Sequence, residues 1–424
     1  LSSSSAASDV YKRQDIMIAD GRVAVNDQQF FAHGNVAITD MTKPEFNLTM
    51  RGQDIQIESL IDKGITGTVG AVAHVYGTAD APVVNATVEA SNVNYDGYVL
   101  EKGIATLDYQ DDVVDISNIQ LSLNGGEASG RGSYNTKTEA YEASLEGTDI
   151  PLGLVGQAAG QPLVGTVNGK AYIKGTGTST SPTVSAVFEG HGIGYDSITT
   201  DSLSGQIAGA DGTYYINYLN GTIGSGFFSA YGNVSQNNLD LAFNAKDVPL
   251  DMFSVYAKQQ LDGKATVTGR ITGPLDNPNV TAVVASDGGH VGHIRFDNAY
   301  VEADVSNKLV TINNGFVQDG HGYYSLNGTI DMGSSQALQL NAQASTVRIE
   351  NIAGTVAPEL PITGWLDVRT EIYGTLDNPQ IRGFVHAWDG SVKGKLFSDV
   401  RFGFCYANAV SYTHLRAHET REDL

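Results

Sequence analysis

Along most of the chain, apolar side chains fall on every second position. After Pro82, Val84, Ala86 and Val88 alternate with Asn85, Thr87 and Glu89. The same spacing follows Pro182 (Val184, Ala186, Phe188), Pro278 (Val280, Ala282, Val284) and Pro379 (Ile381, Gly383, Val385). A period of two with one apolar face predicts half-buried β-strands. Four further runs predict more of them: Phe46/Leu48/Met50, Tyr141/Ala143/Leu145, Leu239/Leu241/Phe243 and Leu338/Leu340/Ala342. Each unit closes with a short stretch that departs from the pattern, as at 247–256. After the Asp247-Val248-Pro249 step, Leu250, Phe253 and Ala257 stand at i, i+3 and i+7, which predicts a helix of one or two turns between strand groups.

These strands recur in a fixed order. An apolar–Gly entry strand is centred on Gly67, Gly165, Gly263 and Gly364, with spacings of 98, 98 and 101 residues. About ten residues later comes a Gly followed by a turn that ends in Pro: Gly77 to Pro82, Gly175 to Pro182, Gly273 to Pro278 and Gly374 to Pro379. In the last two, Leu-Asp-Asn-Pro is repeated (Leu275–Pro278 and Leu376–Pro379). Asx side chains bond nearby backbone and Pro fixes its own φ, so the segment predicts a turn feeding a strand. A third anchor, at Gly34, Gly132, Gly232 and Gly328, lies in strands whose apolar faces include Phe30, Ala128, Phe228 and Tyr324. The expected organisation is half a unit over 15–62, whole units over 63–161, 162–260 and 261–361, and half a unit over 362–409. Seven or eight strands are expected in each whole unit. The ends differ: Leu1–Gln14 and Val410–Leu424 break the alternation, resemble translated sequencing-adapter sequence, and are expected to lie outside the β array.

Composition narrows the function. A formal charge of −22 sets the surface against nucleic-acid phosphates, so no nucleic-acid partner is expected. The 49 glycines and 20 tyrosines, with only 17% charged residues, fit a folded, turn-rich β protein. The lone Cys405 excludes an intramolecular disulfide or a cysteine zinc site. No apolar run is long enough to cross a bilayer as a helix. Nucleophile elbows, phosphate loops and His-Glu-x-x-His helices are missing, so neither an enzyme nor a cofactor is expected. His290 and His293 would diverge on a regular strand, Asp111-Asp112 reads as an exposed turn, and the Asp-Asn pairs lack calcium-loop spacing, so no metal is expected.

The repeated Gly–turn–Asp-Asn-Pro–alternating-strand order, with strands such as Phe228-Ser229-Ala230-Tyr231-Gly232-Asn233-Val234, resembles the TamB family of the AsmA-like group over about residues 15–409. The resemblance implies an all-β, elongated repeat array of antiparallel strands curled into a trough (a β-taco), with short helical connectors. It further implies a bacterial envelope protein that is anchored in the inner membrane by an N-terminal helix and spans the periplasm. Such a protein carries phospholipid to the outer membrane and supports outer-membrane protein assembly. Its partners would be phospholipid acyl chains and, through a C-terminal domain, an outer-membrane Omp85-type barrel. On that reading Val84, Val88, Val184, Phe188, Phe228, Val280, Val284, Tyr324, Ile381 and Val385 are the lipid-groove candidates. Two alternatives stay open from residues alone: the alternating face is a core closed against another layer, or the chain is a surface adhesin or passenger-like β-solenoid.

Overall fold

The computed structural model describes residues 14–38, 43–60, 64–95, 98–153, 162–177, 181–195, 198–235, 237–257, 259–292, 294–356, 360–407 and 410–416. Its contacts divide the chain into two units, residues 1–217 and 218–424, and the division falls within the strand Thr213–Ile223. Each unit is almost entirely antiparallel strand in an open sheet. In the first, successive strands pair in chain order from Gln14–Val25 through Ile65–Thr78 and Ala81–Tyr95 to Leu163–Thr176 and Thr183–Tyr195. In the second, the ladder runs from Gly226–Ser235 through Leu261–Gly273 and Asn279–Ser286 to Pro379–Val392 and Lys395–Ala407.

The entry strands begin at Ile65, Leu163, Leu261 and Ile362, and each carries its anchor glycine at the third position. Gly67, Gly165, Gly263 and Gly364 all have left-handed φ, of 133°, 103°, 115° and 134°. A Cβ on Gly67 would stand 2.7 Å from the Asn92 carbonyl oxygen, and one on Gly165 would stand 2.6 Å from that of Gly192. The recurrent glycine therefore answers to two constraints, a backbone angle that L-residues resist and a neighbouring strand too close for a side chain. The Asp-Asn-Pro segments are turns, as expected. The Asn277 N–H reaches the Pro274 carbonyl at 3.2 Å and the Asn378 N–H that of Thr375 at 3.1 Å. Asp111 and Asp112, with φ of 48° and 64°, form the two-residue turn of a hairpin in which Gln110 faces Val113.

Three helical segments follow strands at matching points: Ile57–Ser59, Asp251–Phe253 continuing into Ser254–Ala257, and Ile349–Val356. The predicted helix after Pro249 is the second of these. The corresponding stretch after Pro151 lies largely outside the described residues. The Ile349–Val356 helix has Glu350 in its first turn, which suits its N-terminal dipole, and Ile349, Ile352 and Ala353 on one apolar side.

Among the described residues, the whole units 63–161, 162–260 and 261–361 hold six, seven and eight strands, so the expected seven or eight holds in two of the three. The differences come from the short strands Ile198–Thr199, Gly289–Val291 and Ile294–Phe296. Strand pairing continues past Val410, the expected end of the array. Val410–Arg416 pairs antiparallel to Lys395–Ala407, with Phe402 facing Leu415. Backbone pairing needs only a free strand edge, so a weakly patterned segment extends the ladder there.

The anchor glycines make a quantitative contrast. Gly67→Ala is expected to lower stability by about 2–4 kcal/mol. Gly70→Ala is expected to change it by no more than about 0.5 kcal/mol, because a Cβ there meets nothing closer than 3.7 Å. Urea denaturation of the two variants measures the difference.

Candidate functional site

Antiparallel pairing puts directly opposed residues on one face, so the cross-strand register traces that face across each sheet. In the first unit one row runs Ala32, Met50, Ala73, Ala86, Leu107, Ile116, Gly132, Ala143, Ile173, Val184. In the second a row runs Ala230, Phe243, Gly269, Ala282, Ala303, Ile312, Gly328, Leu340, Ile372, Ile381. Every member is apolar or glycine. The groove candidates sit on this face in their respective units: Val84 opposite Val75, Val88 opposite Ala71, Val184 opposite Ile173 and Phe188 opposite Gly169 in the first. In the second, Phe228 faces Ala245, Val280 faces Ile271, Val284 faces Val267, Tyr324 faces Ala344, Ile381 faces Ile372 and Val385 faces Val368.

This face is apolar but mostly not covered. Among the described residues of the first unit, Ile55 is the only fully buried hydrophobic side chain. Nine of the ten candidates are half-buried, and only Val385, at 9% exposure, belongs to a core. That core is local. Ala344, Val347, Leu366, Val385 and Ala387 pack with Ile349 of the short helix, and Ile352, Ala353 and Tyr324 close around them. The Tyr324 hydroxyl is buried there near Asn351, and burial raises its pKa. The helix covers one patch of the face. Ile55, Ile223, Val248, Ala265 and Phe296 are buried elsewhere, and most of the other described side chains on the face are half-exposed.

The most deeply buried positions escape a strict period of two. Register shifts lie between Gly52 and Ile55, Gly147 and Ile150, Ala245 and Val248, and Ala344 and Val347. Each is a β-bulge, an extra residue on one strand. Asp54, Asp149, Asp247 and Thr346 take left-handed φ of 52°, 52°, 56° and 52° within them. The extra residue returns Ile55, Val248 and Val347 to the apolar face, at 3%, 6% and 1% exposure. The next strand satisfies the displaced backbone: the Asp149 N–H donates to Asn168 Oδ1 at 2.6 Å and that of Thr346 to Asp367 Oδ1 at 2.7 Å. The sequence signal was present as Asp54, Asp149 and Asp247, repeated at the spacing of the units.

The opposite face is polar and ion-paired. Arg270 Nε donates to Asp240 Oδ1 at 2.7 Å, which holds the Asp240 carboxyl below its ordinary pKa. Arg382 pairs with Glu371, whose hydrogen bond raises the guanidinium pKa further. His290 lies on the surface with its Nδ1 3.4 Å from Asp262 Oδ2, and His293 lies outside the described residues. No cluster of three or more His, Cys, Asp or Glu suited to a metal occurs among the described residues, and no helix there is long and apolar enough to cross a membrane. No family model, curated protein or solved structure matches the chain.

The uneven cover of the apolar face predicts uneven costs. Val347→Ala should destabilise by about 2–3 kcal/mol and Val88→Ala by less than about 1 kcal/mol. Only Val347 leaves a cavity in a closed core. Thermal or urea unfolding of the paired variants checks this.

Proposed function

We propose that this chain is an internal segment of a TamB-like, periplasm-spanning envelope protein that carries phospholipid between the inner and outer membranes along its apolar face. One observation supports this reading above the others: in each unit the apolar side chains continue from strand to strand across the sheet while remaining half-exposed. A core would be buried, and a soluble surface would not place apolar residues in unbroken rows. An acyl chain supplies the missing layer. Each CH₂ kept out of water is worth about 0.8 kcal/mol, so a two-chain lipid crossing an aqueous gap alone faces a cost of tens of kcal/mol. A row of Val, Ile, Ala and Phe side chains removes much of that cost while the sheet opening leaves room for a headgroup in water.

The antiparallel pairing supports this reading over a passenger-like solenoid, in which successive rungs stack as parallel strands. The anchoring helix, the Omp85-type partner and the support of outer-membrane protein assembly come with the resemblance to the family. They are part of the proposal on that ground.

A photo-crosslinking side chain at Val184 or Phe188 is expected to capture phospholipid in the envelope, and one at Ser185 or Glu189, on the opposite face, is not. Phe188→Arg or Val284→Arg should cut lipid transfer by about tenfold or more, because a charge on the apolar face is costly to cover with acyl chains. The circular dichroism of both variants should remain unchanged. Failure of every apolar-face position to capture lipid would sink the proposal.

A further inference from the structure

The polar faces hold a feature that lipid carriage leaves unused. In the second unit, five successive strands form a shallow concavity of about 630 Å³ on the polar side, lined by Asn341, Gln343, Arg369, Glu371, Arg382 and Phe384. The first unit has one of about 600 Å³, lined by Arg131, Ser144, Glu146, Lys170, Tyr172 and Val187 among others. They occupy the same place in the repeat. Lys170 and Arg369 each stand five residues after the entry glycine, Gly165 or Gly364. Val187 and Phe384 each stand five after the turn proline, Pro182 or Pro379, and are 45% and 49% exposed.

The two basins hold similar groups at different positions, Arg369 standing where the first unit has Lys170 and Arg131 where the second has Asn327. Each holds one cation–carboxylate pair: Lys170 with Glu146 at 3.1 Å in the first, and Arg382 with Glu371 in the second. Each also holds an exposed arginine, Arg131 or Arg369, with no hydrogen bond or ion pair among the described residues. The lining of each basin carries two cations and one carboxylate, on a chain whose formal charge is −22, and Arg131 also borders an adjoining hollow that holds Asp115 and Glu142. An unpaired guanidinium in a concavity suits a carboxylate, which it meets with two parallel hydrogen bonds.

The strands beneath add a second constraint. The central strands of both basins are paired on both sides, so their backbone N–H and C=O groups are spent in the ladder. An extended peptide docks on a sheet by adding to a free edge, and these basins have none. What they offer is side-chain amide, hydroxyl and guanidinium groups around one exposed apolar surface. That set suits a ligand rich in hydroxyls with an apolar ring face. We infer that the two basins are binding sites for an acidic saccharide, with Arg131 and Arg369 meeting its carboxylates and Val187 and Phe384 underlying a sugar ring. The basins lie on the face opposite the proposed lipid path, so the inference is independent of lipid carriage.

Titration calorimetry of the whole chain tests it, with tetragalacturonate as the probe and its methyl ester and tetraglutamate as comparators. Tetragalacturonate should bind at two sites per chain, one per basin, and weaken as salt rises through the range where the screening length falls below about 10 Å. The uncharged ester should bind about tenfold more weakly, the loss expected for one charge-assisted contact. Arg131→Ala and Arg369→Ala should each remove one site, and Arg369→Lys, which keeps the charge and the fold, should retain it at reduced affinity. Absence of tetragalacturonate binding, or binding indifferent to both alanine variants, overturns the inference. Equal binding of tetraglutamate overturns it too, in favour of an acidic peptide.

Discussion

The register of the antiparallel ladder is the constraint on which the rest of this structure depends. In a strand the side chains alternate strictly, so a slip of one residue would exchange the two faces of every strand beyond it. Here the register keeps Ala86 beside Ala73 and Leu107, and Ala282 beside Gly269 and Ala303. The same register keeps Arg270 beside Asp240 and Arg382 beside Glu371 on the other side. Apolar continuity and polar pairing are thus two outcomes of one set of backbone hydrogen bonds.

Register shifts recur several times in each repeat, and one set of them, the bulges at Asp54, Asp149, Asp247 and Thr346, comes at matching points. Each comes shortly before a helical turn or the end of a strand, where a left-handed residue makes the extra step. The cost of that backbone angle is offset by the side-chain acceptor on the next strand and by the burial of the residue that follows, as at Val347. The anchor glycines perform the matching service at the start of the entry strand, where the neighbouring chain passes too close for a Cβ.

Much of this was legible in the chain. Runs of period two located the strands, the Pro-terminated turns fixed where they begin, and the apolar members of those runs proved to share one face. Legibility failed where the period itself is broken. Ile55, Val248 and Val347 fall out of phase with the runs before them, so alternation alone assigns them to the wrong side, although they are among the best buried residues. The helix at Ile349–Val356 stands where a connector was expected, at the close of a unit. The pairing of Val410–Arg416 was also hidden, because it rests on main-chain hydrogen bonds that carry no side-chain signature. The polar basins were not legible either. Their side chains come from strands far apart in sequence, and each taken alone reads as an ordinary solvated residue.

What distinguishes this face from a conventional core is the combination of small residues with incomplete cover. Gly132, Gly169, Gly269, Gly328 and Gly383 stand in the rows where a packed sandwich would project side chains to fill the space between layers. The space over several of these glycines is taken by larger side chains of neighbouring strands: a Cβ on Gly269 would meet the Phe243 ring, one on Gly383 the Phe404 ring and one on Gly169 the Phe188 side chain. Glycine and aromatic residue thus complement each other across the ladder, and the face stays apolar by packing within the sheet itself. Where the protein does build a true core, around Val347, it uses large side chains and a helix of its own to do it.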